Sequence, residues 1–297
     1  MPQLREIRQQ IASIGQTRQI TLAMQRIAFI KMRRAKEFAL MLRPYSRNLN
    51  RIVARLIAVE TDYLPALRAQ RQPARRIGLI VVTTDKGLCG ALNTRLLHLA
   101  VSQIDSWQQA GREVSVTAIG ARGLGTLRRA GARIVAQAIN TGEIGGAGSM
   151  EPLIGAVAVP LHQFIDKEID ALYVATNRFV NSLQHEPALA RILPFDPRML
   201  ELPAPDGSVD YVYEPEPGPV IDAALLRYVE TVILRAIAEN AACEQSARMT
   251  AMKSASENAS RMIDELTVQY NKRRQEAITR ELAEIIAGAD ALSGEGP

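Results

Sequence analysis

The sequence predicts an α/β chain in which a long antiparallel left-handed coiled coil of the N- and C-terminal helices carries an inserted Rossmann-like α/β domain. Three observations predict it. Seam residues recur at steps of three and four from Leu4 to Leu42, a 3.5-residue period that winds paired helices left-handed. From Ile221 to Ala287 the chain contains neither proline nor glycine. Between these stretches short apolar runs alternate with amphipathic ones, the order of a partly parallel sheet with crossover helices. The boundaries read as an N-terminal shaft helix over 1–57, an α/β domain over 75–213 and a C-terminal shaft helix over 214–297 that pairs with the first.

The first seam runs Leu4, Ile7, Ile11, Ile14, Arg18, Thr21, Gln25, Ala28, Met32, Ala35, Ala39, Leu42. Its start is apolar, and its middle is polar or small, which weakens a helix pair but can set its register. Gly15 costs about 1 kcal/mol relative to alanine inside a helix. Pro44 is expected to kink or end the first stretch, with Leu49, Ile52, Val53 and Leu56 marking its resumption.

In the middle, Arg76–Thr84, Glu113–Gly120 and Ile169–Val180 read as strands, and stretches near 91–109, 121–130 and 150–167 as helices. Ile139–Met150 is the loosest loop. Glu214–Val220, "EPEPGPV", is a proline-rich breaker ahead of a helix start. The last helix repeats the 3-4 alternation at Met252, Ala255, Ala259, Met262 and Leu266, resumes it at Ile278, Leu282 and Ile285, and is expected to stop at Gly288. At 1.5 Å per residue it is on the order of 100 Å long. If residues near 52 pair with those near 220, Leu4 lies near 268. The helix from about Val268 to Ala287 then overhangs with apolar groups that something outside this chain should enclose.

Charge narrows the partner. Residues 1–57 hold twelve Arg or Lys and only Glu6 and Glu37 as acids; that +10 leaves −5 for the rest of a chain of net +5. So one-sided a field implies an acidic partner: nucleic acid, an anionic membrane or an acidic protein surface. No apolar run reaches the ~18 residues of a membrane span, and the helical pattern starts at once, so no cleavable leader is expected. Cys89 and Cys243 read as packed thiols of a reducing compartment, and His98, His162 and His185 have no metal-like spacing.

No catalytic constellation is visible, and no cofactor or metal is expected. Thr83–Asn93, "TTDKGLCGALN", follows a strand and opens a helix, so a phosphate nest is conceivable there. It has neither P-loop nor dinucleotide glycine spacing, and a tight strand-to-helix turn explains it better. "GARGLG" (Gly120–Gly125) admits the same pair of readings. Asp264 and Glu265 look like a solvated helix face.

Three segments carry a resemblance. Thr17–Lys36, Thr83–Asn93 and above all Ser246–Leu292 are similar to the N-terminal shaft motif, the first strand-and-turn motif and the C-terminal signature of the gamma subunit of F-type ATP synthases, the central rotor shaft. Asp210–Pro217 also fits the segment before that family's last helix. Phe29 and Ile30 stand where the family usually has small residues, and Ala91 where it usually has a second glycine; Gly15 is a further departure.

The resemblance implies a non-catalytic subunit of an ion-transporting ATPase, coupling ion flow through the membrane c-ring to ATP synthesis or hydrolysis at the beta subunits by turning inside the alpha3-beta3 hexamer. It implies one copy per complex on the cytoplasmic face of a bacterial inner membrane, with alpha, beta, epsilon and the c-ring as partners. By motif match, Met24, Arg26, Lys31 and Arg248 would face the acidic loop of beta. Arg274, Gln275, Thr279 and Glu281 would contact beta near the hexamer's centre, and Tyr211, Tyr213 and Glu214 would belong to the foot that meets epsilon and the c-ring. The alternatives are a basic coiled-coil nucleic-acid-binding protein, recognisable by strongly salt-dependent DNA binding, and an enzyme using the α/β domain, recognisable by nucleotide affinity.

Overall fold

The computed structural model describes residues 2–58, 65–71, 73–140, 150–196, 214 and 216–293. Its elements run α1 (Pro2–Ala58), a 3-10 turn (Ala66–Arg68), β1 (Arg76–Val82), α2 (Leu92–Gln109), β2 (Glu113–Ile119), α3 (Ala121–Arg129), β3 (Arg133–Ala138), α4 (Met150–Ile165), β4 (Ala171–Phe179), β5 (His185–Leu193) and α5 (Pro217–Ser293). The chain divides into two compact units: Met1–Ile27 with Met249–Pro297, and Ala28–Arg248.

The larger unit is built on a five-stranded sheet of order β3-β2-β1-β4-β5. β1 pairs parallel with β2 and β4, β2 pairs parallel with β3, and β5 closes one edge antiparallel to β4. β1 sits in the centre because its side chains are apolar on both faces. Ile77, Leu79 and Val81 join Leu96, Ala100, Ile104 and Trp107 of α2 and Leu127 of α3. Ile80 and Val82 join Leu153, Val157, Leu161 and Phe164 of α4, together with Val53 and Leu56 of α1 and Leu225, Val229 and Ile233 of α5. The second core therefore embeds parts of both long helices. At the other end of β1, Asp170 accepts the Arg75 and Arg76 amides and the Arg76 guanidinium. Burial alone would raise that carboxyl, but these donors outweigh it and hold it below its ordinary value.

β3 and β5 were not expected from the sequence. Both are edge strands: β3 is mostly half-buried, and β5 carries Pro187 and polar residues. Edge position tolerates a proline and removes the continuous apolar run by which a strand is recognised.

Two cavities lie between α1 and α5. One is lined by Lys31–Met41 residues and by Ile237–Arg248 residues, the other by Ser46 and Asn50 with Tyr228–Glu239 residues. Later positions of α1 thus face earlier positions of α5, so the two helices run in opposite directions through this unit.

Of the two outcomes expected at Pro44, an end to the helix is ruled out: α1 runs through it. A helix-interior proline costs about 3 kcal/mol, through a lost hydrogen bond and pressure on the carbonyl four residues back. Pro44 and Leu40 are exposed, so water can serve that carbonyl, while buried Ser46, Asn50, Val53, Ala54 and Leu56 hold the next turns. Gly288 does not stop α5 either: it lacks the positive φ of a terminating glycine, and the helix continues to Ser293. α5 begins at Pro217, earlier than the run from Ile221 suggested, because a first-turn proline has no amide to leave unpaired. Its 77 residues make it about 115 Å long at 1.5 Å per residue.

The described residues of the smaller unit are all helical. Of the seam positions from Leu4 to Leu42, all but Arg18 are buried or half-buried. On α5, Met252, Ser256 and Ala259 are buried, but Met262 is half exposed. Beyond Leu266 the character changes: Val268, Ile278, Leu282, Ile285 and Ile286 are all exposed.

Candidate functional site

The motif residues converge at the carboxyl ends of β1 and β2, the edge where open α/β sheets place their sites. There the chain passes from Thr83 and Thr84 through a turn into α2, and from Gly120 into α3. The two turns lock together. Asp85 accepts the Ala121 amide, the Thr84 carbonyl accepts the Arg122 amide, and Thr83 Oγ1 accepts the Gly123 amide. Those are the first amides of α3, the groups a phosphate would need. Here the chain's own carboxylate, carbonyl and hydroxyl occupy them, so "GARGLG" serves as a packing turn. Gly120 has φ +91° and comes so near Thr83 that a Cβ would lie 2.4 Å from its carbonyl oxygen.

The Asp85–Gly90 turn is held from inside. Thr84 Oγ1 donates to the Lys86 carbonyl at 2.6 Å and accepts from Asn93 Nδ2 at 2.7 Å, while the Thr84 amide donates to Asn93 Oδ1. Arg248, on α5, closes it from outside. Its guanidinium donates to the Gly87 carbonyl at 3.1 Å and to Gln245, and forms an ion pair with Glu244 at 2.6 Å. Arg248 is buried, as is Cys89 of the same turn. Burial raises the Glu244 carboxyl above its ordinary value, with Arg248 pulling it back. Between Gly87 and Cys89, Leu88 holds φ +62°, a left-handed conformation that costs a non-glycine residue about 1–2 kcal/mol.

α5 is stitched to β4 by side chains as well. Thr176 Oγ1 donates to the Ala236 carbonyl, Asn177 Nδ2 to Asn240 Oδ1, and the Phe179 amide to Glu239. Cys243 Sγ donates to the Asn177 carbonyl and Ser246 Oγ to the Ser182 carbonyl. Asn177 and Asn240 are both buried, and their mutual bond removes the penalty of placing amides in the core. Cys89 and Cys243, unrelated in sequence, join Leu92 in one small apolar cluster. Burial raises the Cys89 thiol, and burial with nearby Glu239 pushes Cys243 up to about 12. Both remain protonated and unreactive.

A cavity of about 640 Å³ lies beside this network. Lys31, Arg34, Lys86 and Arg248 line it along with Glu37, Asp85 and Glu244. Lys31 and Arg248 are therefore brought to one cavity. Met24 and Arg26 lie in the smaller unit, Met24 half-buried and Arg26 exposed. Arg274, Gln275, Thr279 and Glu281 are all exposed on α5, and Glu214 is exposed ahead of it; Tyr211 and Tyr213 lie outside the described residues. The sequence reading missed Thr83, Asp85, Asn177, Asn240 and Ser246. One signal was available: Asn177 interrupts the apolar run of β4, and a polar residue in a buried strand requires a partner.

This arrangement fastens a long helix to a sheet edge. Comparison with known proteins agrees with that reading. The ATP synthase family profile matches residues 3–292. The ATP synthase gamma chain of Nitrosospira multiformis is 44% identical over 292 residues, covering 97% of this chain and 99% of that protein. The ATP synthase gamma chain of Azoarcus sp. is 46% identical over 290 residues, with 97% and 99% covered. Among solved structures, a chain of the Euglena gracilis mitochondrial ATP synthase OSCP/F1/c-ring assembly matches with a TM-score of 0.67 at 20% identity, over 100% of this chain and 97% of that one. A chain of that organism's ATP synthase rotor matches with a TM-score of 0.59 at 18% identity, over 93% and 99%; at such identities these two show the fold. The nucleic-acid and enzyme alternatives find no support, and the chain belongs to the ATP synthase gamma chain family.

Proposed function

We propose that this chain is the central rotor shaft of a bacterial F-type ATP synthase, one copy per complex, with its C-terminal tip inside the alpha3-beta3 hexamer and its α/β foot on epsilon and the membrane c-ring. The observation that carries it is the end of α5. Val268, Ile278, Leu282, Ile285 and Ile286 are exposed on α5, in a chain that matches its family relatives over almost its whole length. Bare apolar groups on a helix are marginal in water, and a protein sleeve resolves that. The named contents of the structural neighbours, F1 with c-ring and rotor, agree with these partners.

In this reading residues 1–57 and 214–297 wind as an antiparallel left-handed coiled coil, and 75–213 form the foot. The seam burial from Leu4 to Leu42 and the opposed directions of α1 and α5 support the winding. Met24, Arg26 and Lys31 face the acidic loop of beta, and Arg248 meets it through the turn that it holds. Arg274, Gln275, Thr279 and Glu281, all exposed, contact beta near the hexamer's centre. Tyr211, Tyr213 and Glu214 belong to the face toward epsilon and the c-ring. The complex lies against the cytoplasmic face of the inner membrane through its partners; no described helix is long and apolar enough to cross a membrane.

The mechanism is differential contact. An asymmetric shaft touches each beta subunit differently at each angle, and only a difference in contact free energy can bias a subunit between open and closed states. Each coupling is typically about 1–3 kcal/mol, so several must act together. Torque passes from foot to shaft through the seam between α5 and the sheet, where side-chain hydrogen bonds resist slippage that apolar packing alone would allow. Purification from native membranes under mild extraction tests the reading. Alpha and beta at three copies each per copy of this chain is the expected result; the chain running alone would overturn it.

A further inference from the structure

The hydrogen bonds that fasten α5 to β4 and its turn are not alike. Four use a backbone group. The Ala236, Asn177 and Ser182 carbonyls accept from Thr176, Cys243 and Ser246, and the Phe179 amide donates to Glu239. Most of these tolerate a displaced helix. The Ala236 carbonyl has equivalents one turn away, Ser182 is exposed so that water can replace Ser246, and a thiol is a weak donor. The fifth bond joins two side chains. Asn177 Nδ2 donates to Asn240 Oδ1 at 2.8 Å, and the two residues are only 1% and 3% exposed. Water cannot stand in for either amide.

No neighbouring register of α5 answers both amides. A shift by four residues brings Ala236 or Glu244 to Asn177, and a shift by three brings Ile237 or Cys243. Ala236 and Ile237 offer no polar side chain, Cys243 only a weak sulfur, and Glu244 is already ion-paired with Arg248 at 2.6 Å. Each misplacement leaves a buried amide without a proper partner, which costs far more than the correct bond gains over water. We propose that Asn177 and Asn240 are positioning residues that pin the register of α5 on the sheet, and that they do so without adding to the stability of the chain. Buried polar pairs elsewhere select one register of a helix in the same way. The proposal rests on the shaft reading: with the sheet in the foot and α5 in the shaft, this register sets the angle at which the foot's rotation reaches the beta subunits.

Single and double variants of the full chain, alone and in the assembled complex, test the pin. Asn177→Leu or Asn240→Leu alone strands one buried amide and should lower the melting temperature by about 5 °C. Combined, the two apolar side chains should restore that temperature or raise it. Register is then no longer unique. Spin labels at Asp105 of α2 and Ala223 of α5, both exposed, should give one narrow distance in the unaltered chain. In the double variant the distribution should broaden on the scale of a helical turn, about 5 Å. Two registers of similar population halve the working share, so ion pumping per ATP hydrolysed should fall about twofold. Asn177→Ala with Asn240→Ala, which cannot overfill the site, carries the same expectation for distance and pumping. Unchanged distances or an unchanged pumping ratio in a double variant that assembles would overturn the pin. So would failure of both double variants to assemble, because the pair would then hold the fold and not only its register. Failure of the unaltered chain to co-purify with alpha and beta would instead overturn the shaft reading.

Discussion

Replacing Arg248 with leucine isolates the clamp between α5 and the Asp85–Gly90 turn. The guanidinium is buried and donates to the Gly87 carbonyl, Gln245 and Glu244. Leucine fills part of the volume but removes the ion-pair partner of the Glu244 carboxylate, whose side chain is 17% exposed, leaving Lys31 as the cation that still acts on it. Breaking one partner of a buried pair costs about 3–5 kcal/mol. The loss should depend on pH. Burial already raises Glu244, and Arg248 is the main group opposing that rise. Without Arg248 the folded carboxyl titrates still higher than in the unfolded chain, so the variant regains stability as pH falls between those two values. The gain is about 1.4 kcal/mol per unit. Urea unfolding at pH 8 and pH 5 measures it: a deficit near 3 kcal/mol or more at the higher pH, clearly narrowed at the lower. The double variant with Glu244→Gln should recover part of the deficit at pH 8, because the orphaned charge is gone. A deficit under about 1 kcal/mol, or one that does not change with pH, would refute the view that Arg248 is a buried, charge-balanced clamp.

Three other outcomes follow from the same structure. Gly120→Ala should destabilise by more than about 3 kcal/mol, because φ is +91° and the new methyl meets the Thr83 backbone; an unchanged urea midpoint would contradict that close approach. Asp170→Asn should flatten the acid limb of unfolding: the native carboxyl lies below its ordinary 3.8, so its contribution is complete above that value and disappears as pH falls through the lower one. Midpoints of both proteins between about pH 4 and pH 2 give the comparison, and parallel curves would exclude the role. Iodoacetamide should modify neither Cys89 nor Cys243 in the folded chain and both in urea, since the thiols are buried and protonated; native-state labelling at model-thiol rates would show that the cluster opens.

The long helices and the central strands were legible because their signals are local. A 3-4 alternation and a proline-free run announce α1 and α5, and Arg76–Val82 announces a strand buried on both faces. What escaped is set by distant residues. Pro44 looked like a breaker because the buried turns that carry the helix past it are held by residues some 180 positions later in α5. β5 was hidden by Pro187, which only its edge position permits. The role of Arg248 was the hardest to read. Its guanidinium is engaged by Gly87 and Glu244 within the chain, and no spacing in the sequence connects position 248 with position 87. The phosphate reading of "GARGLG" failed for the same kind of reason: Asp85, thirty-six residues earlier, reaches the Ala121 amide first.

The central claim is that the two termini run past each other in opposite directions as one shaft. In the proposed shaft, the facing of Lys31–Met41 with Ile237–Arg248, continued at equal rise along both helices, would put Gln10 opposite Thr267. Spin labels at these two exposed positions, measured by pulsed dipolar spectroscopy in the assembled complex, address it directly. The account predicts a separation below about 25 Å, a helix-packing distance of 8–10 Å plus two label tethers. A separation beyond about 40 Å, the length of 27 helical residues, would contradict it.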